Sequence, residues 1–340
     1  MRNFISLIAV LLVFAGFLPA HAQEPWLNAS AAIVIDAATG TEILGRNADT
    51  IMYPASTTKI MTALLAVEHG DLDETVRIGQ EVNMIAWDSS RAHLQPGDAI
   101  SLRDLLYGMM LASGNDAAYA VAVHIARLAD SELSEAAALE EFARMMNERA
   151  REVGAVNTNF ANPDGYPHPH HYTTARDLAL IMAEAMGRPE FREIVQTADY
   201  RPRTWRGAKV RAWSNGNYLI QRDSGFFYAK ATGGKTGYTV PAGFTMVATA
   251  GEGDLELVAV ALNTDADGRW LDTVNLLEYG FENYTPPEAE TAEVKFAQVP
   301  LLASKAEGEE APVQQAAVPP WLEALVNFLV RHRGRWYYPL

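Results

Sequence analysis

Three short polar motifs in this chain carry residue types able to cut an acyl bond. Ser56 and Lys59 stand three positions apart, where Pro54 gives way to a helical pattern, so both side chains project from one face. A serine hydroxyl is a poor nucleophile until a neighbouring base takes its proton, and an amine serves when burial and other cations hold its pKa down. The start of a helix adds free backbone N–H groups that can stabilise a developing oxyanion. Ser113-Gly114-Asn115 falls in a polar break between two apolar stripes. A hydroxyl there can relay a proton, and the amide can hold a substrate carbonyl or the lysine. Lys235-Thr236-Gly237 stands at the start of a strand-like run. Its cation and hydroxyl suit a substrate carboxylate, and its glycine leaves room for substrate along a strand edge. Each triplet alone also fits a plainer role: a capping serine with a surface lysine, a helix-ending loop, or a lysine in a turn.

The elements that must position these residues follow from periodicity. Residues 31–45 (AAIVIDAATGTEILG) predict a hairpin, with Ile33 and Ile35 on one face and a turn near Thr39-Gly40. Ile60, Met61, Leu64 and Leu65 then form a helical stripe that stops before Gly70. Leu102, Leu105, Leu106 and Met109 predict one helix before the Ser113 break, and Ala118, Val121, Ala122 and Ile125 a second after it. Further helices are expected over about 135–153 and 177–185, separated by the loop NTNFANPDGYPHPHHYTT. After Asp199 the pattern turns to strands: KVRAW, the run before Gly233, AGFTMVATA and LELVAVAL, followed by a helix over 272–281. Strands at both ends around a helical middle imply one sheet assembled from distant parts of the chain and covered by helices.

The chain has 340 residues and no cysteine, which excludes disulfide frameworks, cysteine nucleophiles and thiolate metal sites. A formal charge of -15, from 27 basic and 42 acidic residues, excludes a nucleic-acid binder built on a basic footprint. GxGxxG, Walker and HExxH motifs are absent. Residues 1–22 read as a cleaved secretory signal, with Arg2, an apolar run from Phe4 to Leu18, and Ala20-His21-Ala22 as the cleavage site. Residues 285–320 read as an acidic, proline-rich linker and 321–340 as an amphipathic helix. In that helix Trp321, Leu322, Leu325, Val326, Leu329 and Trp336 form an apolar face, and Arg331, Arg333 and Arg335 supply charge. Its apolar run is too short to span hydrocarbon, so it is expected either to lie on a membrane surface or to dock on the protein body.

The order SxxK, SxN, KTG, with 57 positions from Ser56 to Ser113 and 122 from Ser113 to Lys235, resembles the motif set of penicillin-binding proteins and serine beta-lactamases. The phrases around the triplets, together with Asn162-Pro163-Asp164-Gly165 and His171-Tyr172-Thr173-Thr174-Ala175-Arg176-Asp177, are similar to those of the low-molecular-mass D-alanyl-D-alanine carboxypeptidases. The resemblance covers roughly Trp26 to Tyr284. It implies an α/β (α+β) fold of beta-lactamase/transpeptidase type, an antiparallel sheet flanked by helices with a mainly helical subdomain, over 23–284. It implies Ser56 as nucleophile, Lys59 as acylation base, Ser113 passing the proton to the leaving amine, and Asn115 orienting Lys59 and the peptide. Lys235, Thr236 and Gly237 would line the carboxylate site, and the N–H groups of Ser56 and Tyr238 the oxyanion hole. The implied substrate is the peptidoglycan stem peptide, trimmed by one D-alanine in the periplasm, with beta-lactams as inhibitors and no cofactor or metal.

Some features depart from the family pattern. An arginine expected in an NxN stretch before the KTG strand is replaced by Gly216 in Asn215-Gly216-Asn217, leaving Arg222 as a possible substitute. About 60 residues follow Gly280, too few for the second all-β domain of the best known relatives. The loop ANPDGYPHPHHYTT contains no glutamate, which sets a beta-lactamase aside; an endopeptidase cutting cross-links remains the alternative. His168, His170 and His171 are close enough to suggest a metal, but are read as part of a solvent-exposed loop that binds none.

Overall fold

The computed structural model describes residues 23–207 and 210–287. The signal expected at 1–22, the 285–320 stretch beyond Pro287, and the helix expected at 321–340 lie outside the described residues.

The chain opens with the hairpin β1 (Ala31–Asp36) and β2 (Glu42–Arg46), then a 3-10 turn over Ala55–Thr58 that runs into α1 (Lys59–His69). Two short strands, β3 (Thr75–Arg77) and β4 (Ala99–Ser101), lead to α2 (Leu102–Leu111), α3 (Asn115–Arg127) and α4 (Glu135–Glu152). After the long polar loop come α5 (Ala175–Met186) and α6 (Pro189–Gln196), and then the short pair β5 (Asp199–Tyr200) and β6 (Trp213–Ser214). The chain returns through β7 (Ala231–Thr239), β8 (Gly243–Glu252), β9 (Leu255–Thr264) and α7 (Gly268–Asn283). Among these helices none is long and apolar enough to cross a membrane.

The main sheet is antiparallel, in the order β2-β1-β9-β8-β7. The first strand therefore pairs with the last, with Ala31 opposite Leu262 and Ile35 opposite Val258. Because side chains alternate across a strand, β1 splits its apolar residues between two layers. Ala31, Ile33 and Ile35 face the core shared with α1 to α6, and Ala32 and Val34 face the layer of Trp270, Leu276 and Leu277 on α7. Each of the larger aliphatic side chains, Val, Leu or Ile, stabilises the fold by roughly 1.5–3 kcal/mol when fully buried. Helix starts are fixed by side-chain caps: Ser101 accepts from Asp104 N–H, Ser134 from Ala137 N–H and Thr174 from Asp177 N–H.

Two local expectations change. The KVRAW segment does not form the expected strand. Among its described residues only Trp213 pairs, within the two-residue β6. Its indole is drawn inward, stacked on Trp205 at 5.6 Å and donating to Ala92 O, while Val210 stays exposed. The KTG triplet lies in the middle of β7, because the strand already begins at Ala231. Periodicity also missed α6, which starts with Pro189 in its first turn, a position where the missing N–H costs nothing.

Candidate active site

Ser56 sits in the 3-10 turn and Lys59 is the first residue of α1. Ala55, just before the serine, has φ 51°, a left-handed conformation that an alanine adopts only when its surroundings impose it. Two glycines show what imposes it. A Cβ at Gly165, itself at φ +86°, would lie 1.8 Å from Ala55 O, and one at Gly237 would lie 2.9 Å from Ser56 N. The Asn162–Gly165 loop and β7 thus press on the serine backbone from two sides, at distances that only glycine allows.

Lys59 is fully buried, and its Nζ has three oxygen neighbours: Ser56 Oγ at 2.9 Å, Asn115 Oδ1 at 2.8 Å and Asp164 O at 2.8 Å. The last two can only accept, so a neutral lysine keeps an N–H on each. The remaining corner of the amine, a lone pair in that state, then faces Ser56 Oγ. Burial pulls the Lys59 pKa down to about 8, against the opposing charges of Asp164 and Asp116. The amine therefore gives up its proton far more readily than an exposed lysine, with a neutral fraction already present near neutral pH.

Asn115 is held in register by a loop that carried no motif. Its Nδ2 donates to Ser89 Oγ at 3.0 Å and its backbone N–H to Ser90 O at 2.9 Å. Ser90 Oγ donates to Ser113 O at 2.7 Å. Asp116 fastens the same loop by accepting from the N–H groups of Ala92 and Leu94. Ser113 has φ 54°, a second left-handed residue at the site, and its Oγ accepts from Lys235 Nζ at 3.0 Å.

Lys235 is 3% exposed, and burial together with the charges of Lys59 and Arg269 pushes its amine well below the usual lysine range. Thr236 and Gly237 follow it on the outer strand of the sheet, and Tyr238 is half exposed with its ring 4.5 Å from that of Phe244. Gly216 does lie beside this strand, with its open side toward Thr236 Oγ1. Arg222 is exposed in a turn. A further cation that acts on Lys235 is Arg269, in the first turn of α7, which lies over the rings of Phe244 and Trp270 at 4.7 and 4.5 Å. Its Nε is buried without a hydrogen-bond partner among the described residues. No spacing rule reaches Arg269; the aromatic cage that holds it forms only on folding.

The histidine run divides. His168 and His170 are exposed, as expected, but His171 is buried and belongs to the support of the site. Its Nδ1 accepts from Ala161 N–H at 3.0 Å, so Nε2 carries the proton and donates to Thr58 Oγ1 at 2.8 Å. Burial drops its pKa to about 3 and keeps the ring neutral. The exposed-loop reading fails for this residue because its ring fills the space behind Thr58, edge-on to Phe160. Among the described residues no group of acidic and histidine side chains could hold a metal ion.

Comparison with known proteins agrees with this geometry. Residues 19–266 match the family model described as peptidase S11, D-alanyl-D-alanine carboxypeptidase. The D-alanyl-D-alanine carboxypeptidase of Streptomyces sp. strain K15 is 35% identical over 276 residues, spanning 78% of this chain and 92% of the relative. DacF of Bacillus subtilis, of the same described activity, is 29% identical over 84% of this chain and 72% of its own length. The crystal structure of the Streptomyces K15 DD-transpeptidase superposes with a TM-score of 0.70 at 33% identity, covering 77% of this chain and all of that one. With SxxK joined to SxN through Lys59, SxN to KTG through Lys235, and its fold shared with these enzymes, the chain belongs to the D-alanyl-D-alanine carboxypeptidase family of serine-type peptidases.

Proposed function

We propose that Ser56 is the residue acylated in the family reaction and that the chain removes the terminal D-alanine from peptidoglycan stem peptides. The observation that carries this reading is the 2.9 Å contact of Lys59 Nζ with Ser56 Oγ, at an amine whose other two partners can only accept. In the proposed scheme Lys59 takes the serine proton as Oγ bonds to the carbonyl carbon between the two D-alanines. The resulting oxyanion faces the N–H groups of Ser56 and Tyr238. Collapse breaks the C–N bond, and the proton returns through Ser113 to the departing amine. Water then cleaves the Ser56 ester, releasing the shortened stem and restoring the hydroxyl. Lys235, Thr236 and Arg269 hold the terminal carboxylate, with Gly237 keeping the strand edge open and Asn115 fixing Lys59.

Beta-lactams, which present a strained amide and a carboxylate, would acylate the same serine. A labelled penicillin should therefore modify Ser56, and Ser56→Ala should lose at least a thousandfold in labelling while keeping the thermal transition of the parent. Labelling that survives the substitution would refute the assignment.

A second reading has support from the K15 structure, described as a transpeptidase. The acyl-enzyme is the same, and only the acceptor differs, an amine in place of water. Mass analysis of stem peptides separates the outcomes: loss of one D-alanine means hydrolysis, a joined pair means transfer, and cleavage of a cross-link means endopeptidase action. Residues 1–22 are proposed as the export signal that places the enzyme in the periplasm, and 321–340 as a peripheral contact with the membrane surface.

A further inference from the structure

Nothing in the fold demands a glycine at position 216. Its backbone lies outside the left-handed region, and a Cβ there would meet only ordinary van der Waals neighbours, Thr236 Oγ1 at 3.5 Å and Leu111 O at 3.8 Å. Gly165 and Gly237 differ, because a Cβ at either would strike the backbone around Ser56. What glycine supplies at 216 is space, and the space opens on the hydroxyl of Thr236.

The segment around it is firmly held. Gly216 N–H donates to Leu111 O at 3.1 Å, two residues before Ser113. Asn215 Nδ2 donates to Val195 O and Thr197 O, and Asn215 Oδ1 accepts from Asn217 N–H at 2.9 Å. Between buried Asn215, Asn217 and Leu219, the two outward positions are Gly216 and Tyr218. The half-exposed Tyr218 ring stacks on Trp270 at 5.2 Å, and the Arg269 guanidinium lies 4.5 Å from that same indole. Gly216 and Tyr218 thus border the corner of the cleft where Thr236 and Arg269 would hold a substrate carboxylate. The carbon that bears this carboxylate also bears the side chain of the departing residue. A side chain at 216 would compete for that volume, whereas glycine leaves it to the substrate. Lys235 and Arg269 make the corner cationic, so it disfavours a cationic side chain, while the face of Tyr218 suits an apolar one.

We propose that Gly216 determines leaving-group specificity: the cleft accepts, as the departing residue, a D-amino acid whose apolar side chain is longer than the methyl of alanine. This rests on the reading that the chain cleaves the bond after a penultimate D-alanine through Ser56. The chemistry is the same for either leaving group. Ser56 Oγ bonds to the carbonyl carbon, the C–N bond breaks, the released residue takes the proton passed on by Ser113, and water then cleaves the ester.

The test is kcat/KM for release of the last residue from an acetylated tripeptide ending in D-Ala-D-Ala, D-Ala-D-Leu or D-Ala-D-Lys, on the full-length chain and on Gly216→Ala, Gly216→Val and Tyr218→Ala. The parent should cleave the D-Leu peptide within about tenfold of the D-Ala peptide, and the D-Lys peptide about tenfold or more below the D-Leu one. Gly216→Val should lower the ratio of D-Leu to D-Ala turnover by about tenfold or more, the effect of one or two carbons in a confined pocket. Gly216→Ala, whose added carbon meets only ordinary contacts, should keep the thermal transition of the parent and move the ratio the same way by a smaller factor. Tyr218→Ala should lower the ratio as well. The proposal is overturned if the parent rejects the D-Leu peptide by more than about tenfold, if it cleaves the D-Lys peptide as fast as the D-Leu one, or if the Gly216 variants lose equally on the D-Ala and D-Leu peptides, as a residue needed only for shape would. Release from none of the peptides by a folded parent would refute the underlying reading of the reaction, and the proposal with it.

Discussion

At the scale of single residues, the site depends on holding several like charges close together. Burial readies both lysines to lose a proton, and at Lys235 the charges of Lys59 and Arg269 add to it. Arg269 escapes the same fate because a guanidinium stays charged where an ammonium does not, and because two aromatic faces accept it. Its distinct contribution should appear in substrate choice. Arg269→Ala should lower kcat/KM for a peptide ending in a free D-Ala-D-Ala carboxylate by about 10- to 100-fold, the worth of a hydrogen bond to a charged group. The same peptide ending in an amide should lose little. Equal losses on both peptides, measured by release of the terminal residue, would show that Arg269 serves the scaffold and not the carboxylate.

At the scale of elements, Ser56 owes its position to contacts behind it. His171 links the long polar loop to Thr58 in the turn before α1, and it does so only as a neutral ring. Its folded pKa of about 3 lies below the ordinary histidine value of 6.5. The unfolded chain therefore binds the proton first, so this stabilisation is complete above pH 6.5 and declines as pH falls toward 3. Between pH 7 and pH 4 the loss amounts to about 3 kcal/mol. His171→Gln, which keeps a polar side chain but cannot titrate, should flatten that part of the stability curve in urea unfolding followed across pH. A variant as pH-sensitive as the parent would place the acid lability elsewhere. The same contacts mark the limit of what the sequence discloses. Ser56 and Lys59 were legible because one helical turn sets their geometry, and Ser113, Asn115 and Lys235 because a turn and a strand display them locally. Ser89, Arg269 and the buried character of His171 depend on segments that meet only in the folded chain. The strand misread in KVRAW has the same origin, because the inward pull on Trp213 comes from Trp205 and Ala92, and not from its neighbours in sequence.

At the scale of the whole molecule, the described body ends with α7, whose Tyr284 boundary is tied back to β1 by a hydrogen bond from its hydroxyl to Asp36 Oδ2 at 2.9 Å. Asp272 on the same helix accepts from the N–H groups of Asn28 and Ala29, fastening the first residues of the body to its last helix. Catalysis on a small peptide should therefore be independent of the residues beyond Pro320. Truncation there is expected to leave turnover of a soluble D-Ala-D-Ala peptide within twofold of the full chain. It should also abolish sedimentation with anionic liposomes at low salt, because attachment by a short apolar face and three arginines depends on charge. If the full chain does not sediment with such liposomes, the proposed surface contact is wrong.

The sheet order also governs when the protein can exist as a folded object. β1 is flanked by β2 and β9, so the first strand made waits for the last before its second edge is covered. Closing so long a loop loses chain entropy before any pairing rewards it, which makes folding slow and late. A nascent chain that has emerged as far as β8 still lacks the strand that joins its two ends. The topology that builds the site thus also delays it, because the sheet that carries β7 is joined to the hairpin before Ser56 only once the whole of β9 has been made.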